Sequence, residues 1–369
     1  LITSRLDSWS AQVRGFDLQT LTKEDALSFL LERTAARRQH KASDAEDAAA
    51  LAARLDGLAL ALEQAGAYIA ERRISFDRYL NLFHARRKEV LKWHDKRLMR
   101  YPASVAVTWL TSFGQLKPAA CGLLDSLSFL ASDPIPRSMI EKVGEAPELG
   151  EALAELSRYS LVRFLDEPPE SFSIHRLVQE IVRSRLGGTA RKAWERAVDL
   201  LLREAPQNSG DVSHWNAWRR LAPHCAAVLA GTEPQDSSLS VLRLMNGYAI
   251  FMQFANAEYA EAEPFFQRGL EASERVLGPE HPDTLTSLSN LAALLHAKGD
   301  CAGAEPLHRR TLEARERVLG GEHPSTLTSL SNLAFLLHAK GDHAGAEPLH
   351  RRALEARERV LGPEHPDTL

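Results

Sequence analysis

The feature that most constrains this 369-residue chain is a 42-residue repeat in its C-terminal third. Residues 277–318 and 319–360 differ at five of 42 positions, and a third copy begins at Leu361. A worn copy precedes them, with AEYAEAEPFFQRGLEASERV at 257–276 standing where GDCAGAEPLHRRTLEARERV stands one unit later. Each unit spells two helices. Leu288, Leu291, Leu294 and Leu295 recur at helical spacing, which predicts a helix from about Pro282 to Lys298. Proline near its start gives up an N–H that has no helical partner there, and Gly299-Asp300 supplies the stop. The second helix is predicted from about Ala302 to Leu319, with LGPEHP as the loop to the next unit. Two such helices cannot bury both faces alone, so neighbouring units must stack into an α-solenoid, expected over 235–369.

These units resemble tetratricopeptide repeats, specifically the 42-residue kind of kinesin light chains, through HPDTLTSLSNLA, GD and AEPLHRR. The resemblance implies a right-handed superhelix whose concave groove, lined by the first helix of each unit, binds a protein or peptide. In that family an asparagine of the first helix faces the groove, which maps to Asn290 and Asn332. Of the five substitutions, Ala293→Phe335 lies three residues after that asparagine and should share its face. Phe335 therefore joins the expected peptide groove. His281, His323 and His365, like His296 and His338, recur because the unit recurs, so no metal site is expected from them.

A net charge of −4 gives no general pull toward nucleic acid or anionic membrane. No apolar run approaches the roughly 20 residues of a membrane span, and nothing resembles a signal peptide. The three cysteines (Cys121, Cys225 and Cys301) form no CxxC pair, which argues against a zinc site or a disulfide framework. A cytoplasmic location is expected.

The first half reads as helical, then mixed. Thr22 with Asp25 makes a capping-box pattern ahead of Leu27, Leu30 and Leu31. A second helix is expected from Ser43, and Gly57 separates it from a third. The stretch Glu71–Arg100 holds ten Lys/Arg against four Asp/Glu and reads as a solvated helix face. Helices are expected at about 103–114, 117–131 and 148–158. SLVRFL at 160–165 and SFSI at 171–174 read as a hairpin, and His175 opens a helix to about Leu186. Helices followed by a small hairpin are the plan of a winged helix. The segment before the hairpin carries Glu145, Glu148, Glu151 and Glu155 against Arg158, so phosphates would repel it. Two amphipathic helices at 189–234 are expected to bridge to the repeats.

In this order, LITSR, GLALA, a winged helix and SIHRLVQ make the chain resemble the C-terminal portion of a bacterial NB-ARC-type STAND signal-transduction NTPase with tetratricopeptide repeats. The resemblance implies 1–15 as the end of a nucleotide-binding domain, 16–95 as a helical domain and 96–188 as the winged helix. A linker at 189–234 and repeats at 235–369 complete the expected, mainly α, order. It implies ADP or ATP as cofactor, with magnesium held only by an upstream domain. Arg5 matches the arginine that senses the γ-phosphate. Gly57 and Leu58 belong to GLALA, matching a GLPLA motif by the adenine, with Ala59 replacing its proline. His175 matches the histidine of an MHD motif that contacts the ADP β-phosphate, but Arg176 stands where aspartate is usual.

No G-x-x-x-x-G-K-[ST] loop occurs, so no phosphoryl chemistry and no catalytic residue are expected of this chain. The chain reads as an excerpt of a longer protein. The expected function is a regulatory, partner-sensing fragment of an NTP-driven switch, contacting an upstream nucleotide-binding domain and oligomerising on activation. An adaptor without nucleotide function and a transcriptional regulator using the winged helix are the alternatives; nucleic acid is not an expected partner.

Overall fold

A computed structural model describes residues 20–85, 112–141, 147–232 and 238–362. They fall in two compact units, Leu1–Leu200 and Leu201–Leu369. Both are built mainly from helices. The basic stretch beyond residue 85 and residues 103–111 of the helix expected at about 103–114 lie outside the described residues, as does Arg5.

The first unit opens with four helices, α1 (Lys23–Thr34), α2 (Asp44–Arg54), α3 (Ala59–Arg72) and α4 (Phe76–Ala85). Thr22 caps α1 as its pattern predicts, accepting from the Asp25 N–H at 3.1 Å. Ser43 does not cap α2 in this way. Its hydroxyl donates to the Asp47 carboxylate at 2.7 Å, so no side chain serves the first-turn amides. Leu30, Leu51, Leu62, Phe76 and Phe83 form the buried face. Within it, Glu63 takes both arms of the Arg33 guanidinium at 3.0 and 3.1 Å, tying α3 to α1. A carboxylate this buried is tolerated because the planar fork satisfies both oxygens.

The rest of the first unit is helix and sheet. Helix α5 spans Pro118–Leu127, ending earlier than the sequence suggests, and the Ser128 hydroxyl at its end donates to the Asp125 carbonyl at 2.7 Å. The two-residue strand β1 (Ile135–Pro136), helix α6 (Pro147–Arg158), β2 (Arg163–Leu165) and β3 (Ser171–Ser173) follow. The sheet order is β1-β3-β2, both pairings antiparallel, with Phe172 opposite Ile135 and Phe164. The hairpin is shorter than SLVRFL implies, because Ser160 takes a positive φ of 53° and delays the strand. Helix α7 (Arg176–Leu186) crosses back over α5, and its buried Gln179 donates to the Leu130 carbonyl at 2.9 Å. Helix α8 (Ala190–Glu204) then buries Trp194.

The second unit begins in the last residues of α8 and continues with α9 (Trp215–Leu229) and α10 (Leu239–Phe251). Trp218 is buried and stacks on Phe251 at 5.9 Å, packing α9 on α10. Helix α11 (Tyr259–Leu277) completes the worn unit. The two clean units are α12 (Pro282–Ala297) with α13 (Cys301–Leu319), and α14 (Pro324–Ala339) with α15 (His343–Leu361). Boundaries predicted from the period agree to within a residue. Leucine and alanine supply the core: Leu312, Leu327, Leu330, Leu333, Leu337, Ala346 and Ala353 pack as one cluster.

The outer surface repeats as the sequence does. Lys298 pairs with Glu263 at 2.6 Å and Lys340 with Glu305; Arg310 with Glu274 and Arg352 with Glu316, both at 2.6 Å. Arg317 pairs with Glu280 at 2.5 Å, and Arg359 with Glu322 at 2.9 Å. Exposed pairs contribute at most about 1 kcal/mol each, so they set register while the apolar interface supplies stability.

Candidate functional site

Two places concentrate the residues singled out by sequence. The first is a corner of the first unit where α2 ends and α7 begins. Asp56 and Gly57 both take left-handed backbone angles, φ 55° and 65°, which turn the chain sharply between α2 and α3. At Gly57 this is obligatory. A Cβ there would lie 2.3 Å from the Leu21 carbonyl oxygen, and the Gly57 carbonyl accepts from the Leu21 N–H at 2.9 Å. Leu58 is half-buried and leads directly into α3.

His175 arrives at the same corner as the N-cap of α7. Its Nδ1 accepts from the Leu177 N–H at 3.2 Å, and its Nε2 lies 3.6 Å from the Asp56 carboxylate. Burial holds the imidazole below its ordinary pKa; Asp56 opposes that shift and Arg176 adds to it. Arg176 reaches the same carboxylate at 3.4 Å, and one turn on, Arg54 lies 3.7 Å from Glu180. The structure thus joins Gly57, Leu58 and His175 at one corner. It adds Asp56 and Arg176, which the sequence reading did not pair. Only the departure at Arg176 hinted at a partner: an arginine in place of an acid needs a carboxylate from elsewhere.

The second place is the line of first helices in the repeats. Asn290 is half-buried, and its amide donates to the Asn246 side-chain carbonyl at 2.8 Å. Asn246 lies on α10, the first helix of the worn unit, 44 residues earlier and so two residues off the 42-residue period. Because it falls off the period, no repeat alignment points to it. Asn332 is half-buried at the equivalent point of α14. Phe335 is 61% exposed and meets the His296 ring edge-on, with centroids 5.4 Å apart. Asparagine at one step and an exposed aromatic at the next can hold an extended segment by amide bonds and by apolar contact.

Among the described residues no group of three or more ligating side chains could hold a metal ion. No described helix is long and apolar enough to cross a membrane.

Comparison with known proteins agrees with the repeat geometry. The family described as Tetratricopeptide repeat matches residues 240–317, 288–359 and 325–369. Residues 111–191 match a domain of unknown function (DUF7779). A nucleotide-binding leucine-rich repeat (NLR)-like protein from Hyaloscypha variabilis is 32% identical over 287 residues, covering 74% of this chain and 28% of its own length. The chain thus spans little more than a quarter of that relative. A solved Podosopora anserina protein, a putative kinesin light chain with nearly identical TPR-like repeats, is 22% identical, with TM-score 0.35 over 46% of this chain and 90% of its own. A signal transduction ATPase with numerous domains (STAND) and a tetratricopeptide repeat sensor, from Pyrococcus horikoshii, is 13% identical, with TM-score 0.31 over 94% of this chain and 56% of its own. Residues 240–369 are therefore an array of tetratricopeptide repeats, in a chain similar over 74% of its length to an NLR-like protein.

Proposed function

We propose that this chain is the regulatory, partner-sensing part of an NTP-dependent signalling switch of the STAND or NLR-like kind. One observation carries the reading. Two motifs that resemble nucleotide-contacting elements of that class, GLALA and SIHR, are about 120 residues apart yet meet through Asp56. The NLR-like relative supports the same class.

In this reading Gly57 and Leu58 border the adenine, and His175 and Arg176 face the phosphates. Arg5, outside the described residues, would sense the γ-phosphate. The corner fits an anion, because the Arg176 guanidinium and the His175 ring meet there, and Arg176 Nε is buried with no hydrogen-bond partner among the described residues. It also imposes a condition: Asp56 must release His175 and Arg176 before a diphosphate takes them. ADP or ATP would supply the phosphate charge that distinguishes the two states. Magnesium and hydrolysis belong to an upstream nucleotide-binding domain. A protein or peptide at the Asn290, Asn332 and Phe335 groove would shift the resting population toward an oligomerising form, through unequal affinity for the two states. A cytoplasmic setting follows from this role.

The adaptor reading draws on the same corner, since Asp56 already neutralises Arg176 without a ligand. The transcriptional reading gains nothing from α6, whose Glu148 and Glu151 are exposed. ADP affinity of the complete protein, wild type against His175→Ala, separates these readings. A loss of about tenfold or more supports the switch; binding that is absent or unchanged leaves the repeats as an adaptor.

A further inference from the structure

The five substitutions between the clean repeats include one that exchanges one metal-binding side chain for another: Cys301 becomes His343. Both residues open the second helix of their unit, five places after a histidine, His296 in one case and His338 in the other. In the later unit the two rings meet. His338 Nδ1 and His343 Nδ1 lie 3.2 Å apart, with ring centroids 4.7 Å apart and planes inclined at 60°. The 42-residue recurrence of histidine gave no reason to expect ligation between units. The pair lies inside a single turn.

The turn that sets this distance is locked from both sides. Gly341 takes φ 83°, its N–H donates to the His338 carbonyl at 2.9 Å, and Asp342 accepts from the Gly345 N–H at 2.9 Å. Two metal–nitrogen bonds of about 2.0–2.1 Å place their nitrogens about 2.9 Å apart at a right angle and about 3.3 Å apart at the tetrahedral angle. The observed separation falls between these limits. Both rings are exposed, so water would satisfy each nitrogen as well as its neighbour does, and the hydrogen bond alone gives little reason for the pairing. We propose that His338 and His343 form a two-ligand site for a borderline divalent transition cation such as Zn2+, with water completing the coordination.

Without metal, the neutral pair carries one Nδ1–H as donor and one Nδ1 lone pair as acceptor. On binding, the donor ring moves that proton to Nε2, so both Nδ1 lone pairs face the cation and no net proton is lost. Imidazole nitrogen suits zinc, copper and nickel, whereas magnesium and calcium prefer oxygen and should not compete. The site would clamp the end of α14 to the start of α15.

Zinc titration of the chelator-stripped 369-residue chain tests this, read by calorimetry and by the melting temperature. The expected result is saturable uptake with a raised Tm, and loss of one zinc per chain in both His338→Ala and His343→Ala. Each variant should bind zinc at that site at least about tenfold more weakly, with its metal-free Tm unchanged. Cys301→Ser should keep the site. Absence of saturable zinc uptake by the wild type overturns the proposal, and so does equal stoichiometry and affinity in the two alanine variants.

Discussion

The Arg176 guanidinium lies 3.4 Å from the Asp56 carboxylate across 120 residues of chain, with the His175 ring 3.6 Å from the same carboxylate. This contact turns two separate motifs into one corner. Asp56 is exposed and Arg176 half-buried, so their attraction is partly screened and contributes about 1 kcal/mol at most. Asp56→Asn, whose side chain tolerates the same left-handed backbone, should therefore leave the melting temperature nearly unchanged. In the complete protein it should tighten ADP binding severalfold by removing the acid that competes for His175 and Arg176, as a fluorescent-ADP titration would show.

Gly57→Ala should be far more damaging than its position between helices suggests. The new methyl meets the Leu21 carbonyl, and alanine disfavours the positive φ. A loss of about 2 kcal/mol or more is expected, measured by urea denaturation. Gly188→Ala, with open space at its Cβ and a negative φ, serves as the mild control.

His308 makes the repeats acid-sensitive. It is 2% exposed, and burial, with a smaller effect from His296, pushes its pKa down to about 4. The unfolded imidazole binds its proton near pH 6.5, so stability is complete above that pH. It falls as pH drops toward 4, by up to about 3 kcal/mol, and then levels off. His308→Gln should flatten that part of the curve. An unchanged slope between pH 6.5 and 4 contradicts the assignment.

Phe335→Ala removes a side chain that is mostly in solvent, so the fold should lose less than about 0.5 kcal/mol. Peptides selected against the chain from a random display library should bind it about tenfold more weakly if Phe335 anchors them. Equal affinity would move the contact surface away from this face.

Trp218→Ala tests the packing ahead of the repeats. The indole is buried against Phe251, and a Cβ on Gly247 would come within 3.0 Å of it. The truncation should cost about 3–5 kcal/mol, read as a large fall in the urea midpoint.

Legibility followed the range of the interactions. The helices of the two clean units were readable to a residue because Leu288, Leu291 and Leu294 repeat locally and Gly299 marks the stop. Strand β1 was not readable: Ile135 and Pro136 are a strand only because Phe172 and Ser171 pair with them. Gly57 and His175 were visible as motifs, whereas Asp56 gained its role from a fold contact that no local pattern encodes. Asn246 stands two residues off the 42-residue period and gains its contact with Asn290 only in the fold, and the Ser43 hydroxyl goes to Asp47 instead of a first-turn amide.

The central claim is that the Gly57–His175 corner belongs to a nucleotide-responsive switch. Hydrogen exchange on the complete protein, with and without saturating ADP, tests it most directly. The account predicts slowed exchange at the amides of Leu58 and Leu177 when ADP is present. Unchanged exchange at both, under conditions where ADP is bound, would contradict it.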